Sequence, residues 1–452
     1  MSAPVILWFR QDLRLHDQPA LVAAAAEGPV IPVYILDDDG PGDWRIGGAQ
    51  RWWLHHSLAS LADALEAKGS RLILRRGPAA EVLSTLVEET GATAIHGLRH
   101  YEPWWRDAEE KLGERMCLHD GNHLVPVDRA KTGSGQPFKI YSSFWKGIQS
   151  MLPPEAPIAA PRTIAAPTKW PKSEALKDWD LLPTMPDWSG GFSEWTPGED
   201  AALAAAKAFA KKVDRYDHDR NLPAVDGSSR LSPHLHHGEI SPRTIWHAIH
   251  GHGDTTTAVK ELAWRDFTSG VVKAMPRYAD ENGRERYDRL KWRTGKAAAS
   301  DLKAWQRGRT GYPIVDAGMR QLWQSGWMHN RVRMITASFL IKHLLIDWRE
   351  GERWFWDCLV DADYGNNAVN WQWVAGTGVD SNMFSRIMAP LTQSEKFEAA
   401  DYIRHWIPEL KRLPNEIIHD PEEHGCRPDT YPAKIIGHRE ARERALAASR
   451  AL

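Results

Sequence analysis

The chain has 452 residues, enough for two or three domains with substantial cores. Its formal charge of −2 gives no whole-protein basic signal, so a nucleic-acid partner requires arginines gathered on one face. Three cysteines (Cys117, Cys358 and Cys426), with no C-x-x-C, exclude a disulfide framework and a four-cysteine iron–sulfur site, whereas 23 tryptophans exceed what packing requires and point to stacking or redox work.

The first part alternates β-rich runs with helical patterns. Strands are expected at "VILWFR" (5–10), "VIPVYIL" (30–36), "RLILRR" (71–76) and "ATAIHGL" (92–98), with helices over 47–69 and 79–91 between them. Such alternation predicts a parallel, Rossmann-like sheet covered on both faces. No G-x-G-x-x-G or G-x-x-x-x-G-K-[ST] follows a strand, so the usual dinucleotide and P-loop fingerprints are absent. No apolar run reaches transmembrane length and strand-like sequence begins almost at once, so the expectation is a cytoplasmic protein with no membrane span and no signal peptide.

From about 151 to 197 the chain turns proline-rich, which predicts a long surface connector with little structure of its own. Beyond it, helical patterns dominate in "EDAALAAAKAFAKKVDRY", "TTTAVKELAWRDFTSGVVKAM" and "HNRVRMITASFLIKHLLIDW". The second domain is therefore expected to be all-α. The expected divisions are 1–130, an interdomain linker over 131–197, and 198–452.

Several stretches of the helical part carry possible chemistry. Ser232-Pro233 and Ser241-Pro242 are helix-start signals. They are either plain helix starts or, with Ser228, Ser229 and Arg230, a cradle for a diphosphate. His234, His236, His237 and Glu239 match no metal-ligand motif, so no metal is expected and the histidines read as surface or supporting groups. Glu261, Trp264 and Arg265 share one helix face and, taken alone, read as a surface ion pair beside a packed tryptophan. Asn330 and Met334 share a face, with Arg331 and Arg333 expected to project elsewhere. Asp361, Asp363 and Asn367 form a polar set able to bond a heterocycle. In "NNAVNWQWVAG", Trp371 and Trp373 diverge by about 200° on a helix, so each serves a different neighbour.

Together, "WFRQDLRLHDQPAL", "YDHDRNLPAVDGSSRLSPHLHHGEISPR", "KELAWRDF", "WMHNRVRM" and "DADYGNNAVNWQWVAGTG" resemble the photolyase/cryptochrome family, in the family's order and over almost the whole chain. The resemblance implies an α/β antenna domain, a linker and a helical domain holding folded FAD. It assigns FAD contacts to Tyr216, Ser228, Ser229, Arg230, Leu231, Ser232, Glu261, Arg265, Asn330, Arg333, Asp361, Ala362, Asp363 and Asn367. Asn367 falls to the flavin N5. Within the family, members that repair cyclobutane pyrimidine dimers carry Glu, Trp, Asn and Met at the places of Glu261, Trp264, Asn330 and Met334. Members acting on the (6-4) photoproduct carry two acid–base histidines that are absent here. The expected activity is therefore light-dependent repair of UV-damaged DNA, with a cryptochrome photoreceptor as the alternative and a (6-4) enzyme less favoured.

The resemblance also implies that Trp264 and Trp373 stack on the flipped lesion, and that Arg220, Arg331 and Arg386 contact phosphates. Trp371, Trp348 and Trp292 resemble an electron-transfer chain. Glu261 bonds a thymine carbonyl, and acting as donor it must be protonated through burial. The family's second chromophore is expected to be methenyltetrahydrofolate (alternatively an 8-hydroxy-deazaflavin), in a groove lined by "DDDGPGDWRIGGAQRWW" and "HYEPWWRDAEEKL", whose aromatic content suits a stacked pterin. A monomer is expected.

Overall fold

The computed structural model describes residues 3–381 and 383–452. Its N-terminal part is built on five parallel strands: β1 (Val5–Phe9), β2 (Val30–Leu36), β3 (Ile73–Arg76), β4 (Ile95–Leu98) and β5 (Met116–His119), in the order β3-β2-β1-β4-β5. The helices α1 (Pro19–Glu27), α2 (Gly48–Glu66), α3 (Ala79–Thr90) and α4 (Pro103–Leu112) supply the crossovers. Strand β1 is buried along its whole length, as a central parallel strand must be when helices cover both faces. Leu7 and Phe9 face one apolar cluster, Ile6 and Trp8 the other. The fifth strand is the one the sequence pattern misses. "MCLH" is half-buried and only four residues long, so it carries no strong alternation.

The connector has more structure than its proline content predicts. Helix α5 (Tyr141–Ile148) buries Phe144 and Ile148. Further along, Ile164, Trp179 and Leu181 join the core under the sheet, and Phe192 and Trp195 pack between sheet-side and helical parts.

The helical part follows as α6 (Glu199–Ala210), α7 (Tyr216–Asp219), α8 (Ser232–His236), α9 (Pro242–Ile249), α10 (Thr256–Ala274), α11 (Gly295–Gln306), α12 (Pro313–Ser325), α13 (Asn330–Ser338), α14 (Trp348–Cys358) and α15 (Tyr364–Ala375). Helices between Pro390 and Arg450 complete it. The long pattern over 329–348 is not one helix: a π-turn at Phe339–His343 separates α13 from α14. Of the two Ser-Pro signals, Ser241 is a true cap, its Oγ accepting from Thr244 N at 3.0 Å. Ser232 lies one residue inside α8, with no side-chain cap bond.

The segment after β1 fastens the two parts together. Leu13 N donates to His237 O at 3.1 Å, Arg14 Nη1 to Gly238 O at 2.9 Å, and Arg243 Nη2 to Asp17 Oδ1 at 2.5 Å. Gly238 sits at φ +67°, and a Cβ there would lie 2.1 Å from Gln11 O, so only glycine permits this approach. Arg14 and Asp17 are buried, and each is satisfied by partners from the opposite part, as buried charge requires.

A second close approach fixes a tryptophan. A Cβ on Gly351 would stand 2.1 Å from Trp371 Cη2 and 2.6 Å from Leu340 Cδ2. Gly351→Ala is expected to destabilise the fold by about 1–3 kcal/mol through overpacking and to displace the Trp371 indole. Urea unfolding followed by circular dichroism measures the first effect.

Candidate active site

The segment from Ser228 to Ser232 links α7 to α8 across the mouth of a cavity of about 260 Å³. Arg230 takes a left-handed backbone at φ +51°, an uncommon state for a non-glycine residue. Among the described residues, the N–H groups of Ser228, Ser229 and Arg230 have no partner in the chain. Successive free N–H groups beside a left-handed residue form a concave anion site. Tyr216, Ser228, Ser229, Arg230, Leu231 and Ser232 all line this cavity, as do Glu261, Arg265, Asn330, Arg333, Asp361 and Asp363.

Helix α15 positions the polar set. Asp363 caps it, with Oδ1 accepting from Asn366 N at 2.7 Å, and Gly376 ends it at φ +87°. Burial pushes the Asp363 carboxyl up, but nearby His236, Arg265 and the Asn366 N–H outweigh burial and bring it down to about 2. His236 Nδ1 stands 4.0 Å from Asp363 Oδ2, too far for a hydrogen bond, so its effect is electrostatic. Asp361 pairs with Arg333 at 2.9 Å. Among the described residues, three buried polar atoms of the lining have no partner: Arg265 Nη1, His236 Nδ1 and Asp361 Oδ1. Orphaned donors and acceptors converging on one cavity fit a polar heterocyclic ligand that completes their bonds.

His329 lies in the same lining and caps α13, its Nδ1 accepting from Arg331 N at 3.2 Å. Burial, then the charges of Arg331 and Arg333, pull its imidazole down to about 4. Free histidine titrates near 6.5, so the unfolded chain takes the proton first as pH falls. The neutral ring's contribution is complete above pH 6.5 and is lost as pH drops towards 4, about 3 kcal/mol in all. His329→Asn keeps a capping acceptor and is expected to flatten stability between pH 7 and 4.5, read by urea unfolding at each pH.

A second cavity, of about 320 Å³, continues from the first. The two share Arg220, Glu261, Asn330, Arg333, Asp361, Asp363 and Asn366. The second adds Trp264, Arg331, Met334, Ala362, Asn367, Trp371 and Trp373. The site residues that the family resemblance implied therefore converge, except Trp348, Trp292 and Arg386. The arginines do gather, with Arg220, Arg230, Arg265, Arg331 and Arg333 around the joined cavities.

Several expectations need correction. Arg331 and Arg333 do not project away from Asn330 and Met334; all four line the second cavity, Arg333 because it lies three residues after Asn330 on one face and Arg331 because a long guanidinium side chain reaches it from the next position. Glu261 pairs with Arg220 at 2.7 Å rather than with Arg265, and its side chain is 36% exposed. The structure thus pairs Glu261 with Arg220 and leaves it partly exposed, where the donor reading requires burial.

Of the two readings of His234, His236 and His237, surface or supporting, burial removes the first: all three, with Glu239, are buried. Glu239 bonds His234 Nδ1 at 2.5 Å and accepts from Trp53 Nε1 at 3.0 Å and Gly198 N at 2.8 Å. The aromatic groove argument also changes: Trp44, Trp52 and Trp53 are buried, and Trp44 and Trp104 meet Tyr364 edge-on. These rings serve packing between the two parts, so their abundance is no argument for a stacked pterin.

The tryptophan pair does divide. Trp371 is 3% exposed and packs on Phe355 (4.9 Å between ring centres) and Trp305 (6.3 Å), whereas Trp373 is half-buried and makes no ring contact among the described residues. Trp348 is fully buried, donating to Asn282 Oδ1 at 3.0 Å, and Trp292 is half-buried beside Phe384. Neither makes ring contact with Trp371. Trp305, which the sequence reading passed over, does. Arg386 is exposed on the segment beyond α15. Glu352, also passed over, is fully buried behind Asn367, whose Nδ2 donates to its backbone carbonyl at 3.1 Å, and burial pushes its carboxyl well up.

Residues 258–451 match the family described as the FAD binding domain of DNA photolyase, and residues 5–162 match the DNA photolyase family. The chain belongs to the DNA photolyase family. A deoxyribodipyrimidine photo-lyase from Agrobacterium fabrum is 47% identical, aligned over 99% of this chain and 98% of its own. A crystal structure of a class III photolyase from Agrobacterium tumefaciens superposes with a TM-score of 0.94 at 47% identity, covering 100% of this chain and 98% of that one. A plant protein named Cryptochrome-2, from Arabidopsis thaliana, is 35% identical over 93% of this chain but 73% of its own. The helical part of this photolyase-family chain is therefore an FAD-binding domain, and the orphaned polar groups above lie in it.

Proposed function

We propose that the chain is a deoxyribodipyrimidine photo-lyase, a light-dependent carbon–carbon lyase that splits cyclobutane pyrimidine dimers in UV-damaged DNA. The observation that carries this reading is the second cavity, where Trp264 and Trp373 stand with Glu261, Asn330 and Met334 in direct continuity with the cofactor cavity.

When bound and reduced, FAD supplies the light-excited electron for opening the cyclobutane ring. Ser228, Ser229 and Arg230 hold its diphosphate through their open N–H groups, with Leu231 and Ser232 beside them in the same lining. Tyr216, Glu261, Arg265, Asn330, Arg333, Asp361, Ala362, Asp363 and Asn367 hold the remainder. Photolyases are among the enzymes that take their target out of the base stack. Trp264 and Trp373 receive the fused bases, flat indoles matching flat, partly apolar rings. The Arg220–Glu261 pair, with Asn330, stabilises charge as it develops on a base carbonyl. Arg220, Arg331 and Arg386 contact backbone phosphates and set register without reading sequence. Trp371, Trp348 and Trp292 form the route by which single electrons move inward from the surface.

The proposed organisation is an antenna domain over 1–130, a connector over 131–197 and the catalytic domain over 198–452. The antenna proposed is methenyltetrahydrofolate, with an 8-hydroxy-deazaflavin as the alternative, on the family resemblance alone and not on the aromatic residues of the groove. The protein acts as a cytoplasmic monomer. No described helix is long and apolar enough to cross a membrane.

Binding in the dark tests the substrate reading. Three matched oligonucleotides, one with a cyclobutane thymine dimer, one with a (6-4) product and one undamaged, are titrated against the protein. Preference for the cyclobutane dimer over both others is the expected result; preference for the (6-4) product sinks it.

A further inference from the structure

Trp264 has a partner that belongs to neither the cofactor cavity nor the lesion cavity. Tyr141, the first residue of α5, stacks face to face on its indole, 3.7 Å between ring centres and 7° from parallel. Trp264 lines the lesion cavity and Tyr141 does not, so the phenol backs the indole face turned away from the cavity. Phe267 meets both rings edge-on, at 5.8 Å from Tyr141 and 5.5 Å from Trp264.

Tyr141 is itself held at two points. Its hydroxyl donates to Lys260 O at 2.7 Å, one turn before Trp264 on α10, and its backbone N–H donates to Asp380 Oδ2 at 2.7 Å. Asp380 lies in the segment that follows α15, the helix carrying Trp373. Burial, with the charge of Glu261 nearby, pushes the phenol well above its ordinary range, so the hydroxyl stays a neutral donor. Helix α5 thus joins the helix of one lesion-facing tryptophan to the segment behind the other. Trp373, by contrast, has no stacked ring behind it among the described residues.

We propose that Tyr141 is a positioning residue for lesion recognition: by stacking on the far face of Trp264 it fixes the plane on which a flipped pyrimidine lands. This rests on the lesion-binding reading above. A wall set before binding does not lose its freedom on binding, so the cost of ordering is lower. An undamaged duplex does not present a flipped dimer to that wall, so its binding does not depend on Tyr141.

The test compares dark affinities for a cyclobutane-dimer oligonucleotide and its undamaged twin, in full-length protein. Tyr141→Leu, and Tyr141→Met as a variant of closer volume should leucine fail to fold, are expected to bind the lesion about tenfold more weakly, the size of a lost aromatic pair. Undamaged binding is expected to stay unchanged, and Tyr141→Phe, which keeps the ring, to remain within about threefold of wild type. Wild-type lesion affinity in the leucine or methionine variant, or equal losses on both oligonucleotides, overturns the inference. A wild-type protein that does not prefer the lesion overturns the lesion reading itself, and this inference with it.

Discussion

Replacing Trp264 and Trp373 together by alanine is expected to weaken binding to a cyclobutane-dimer oligonucleotide by roughly 30-fold to 10⁴-fold, since stacking of a base on an aromatic side chain contributes about 1–3 kcal/mol. Affinity for undamaged DNA should change little, because Arg220, Arg331 and Arg386 remain to meet the phosphates. The two indoles are independent supports: Trp264 is on α10 and Trp373 on α15, and they make no ring contact with each other. Fluorescence anisotropy against both oligonucleotides checks this; an equal fall in affinity for the two would remove the indoles from lesion recognition.

The second large effect concerns supply of electrons. Trp371→Phe is expected to slow light-driven reduction of the bound oxidised flavin by at least about tenfold, the change that a barrier rise of 1.36 kcal/mol produces. Repair by chemically pre-reduced protein should be unaffected, because Trp373, not Trp371, is the half-exposed indole of the pair. Flash photolysis of the oxidised protein and a separate assay of the pre-reduced protein measure the two. Loss of both activities contradicts the division of labour. Trp305→Phe, made in parallel, asks whether the ring nearest Trp371 after Phe355 carries part of the flow.

The division between the tryptophans was legible in their spacing, since residues two apart on a helix leave in different directions. Trp371 is buried against Gly351 and Phe355 while Trp373 is half-exposed, as that spacing requires. The Ser-Pro punctuation marked helix starts and left the cradle open; the left-handed Arg230 and unbonded N–H groups that favour it are visible only in the backbone.

Other parts of the site were hidden for specific reasons. "HLHHGE" is polar and looks solvated; it is buried because Trp53, Gln50 and Gly198, far away in sequence, supply its hydrogen bonds. Helical spacing separated only Arg331 from Asn330, and its guanidinium reaches round the helix; Arg333, three residues after Asn330, shares its face, which the sequence reading overlooked. Tyr141 opens a short apolar run at helical spacing, Tyr141, Phe144, Trp145 and Ile148, which the sequence reading passed over beside a proline-rich connector. Its stack on Trp264 is made by chain folding alone.

The central claim, that this chain splits cyclobutane dimers with light, is tested most directly by turnover. Purified protein carrying reduced flavin is illuminated anaerobically with blue light on an oligonucleotide holding a single cyclobutane thymine dimer, with a (6-4) oligonucleotide and a dark sample beside it. The account predicts loss of the cyclobutane dimer alone, in the light alone. No turnover of either lesion by protein with reduced flavin bound would contradict it and leave the photoreceptor reading in its place.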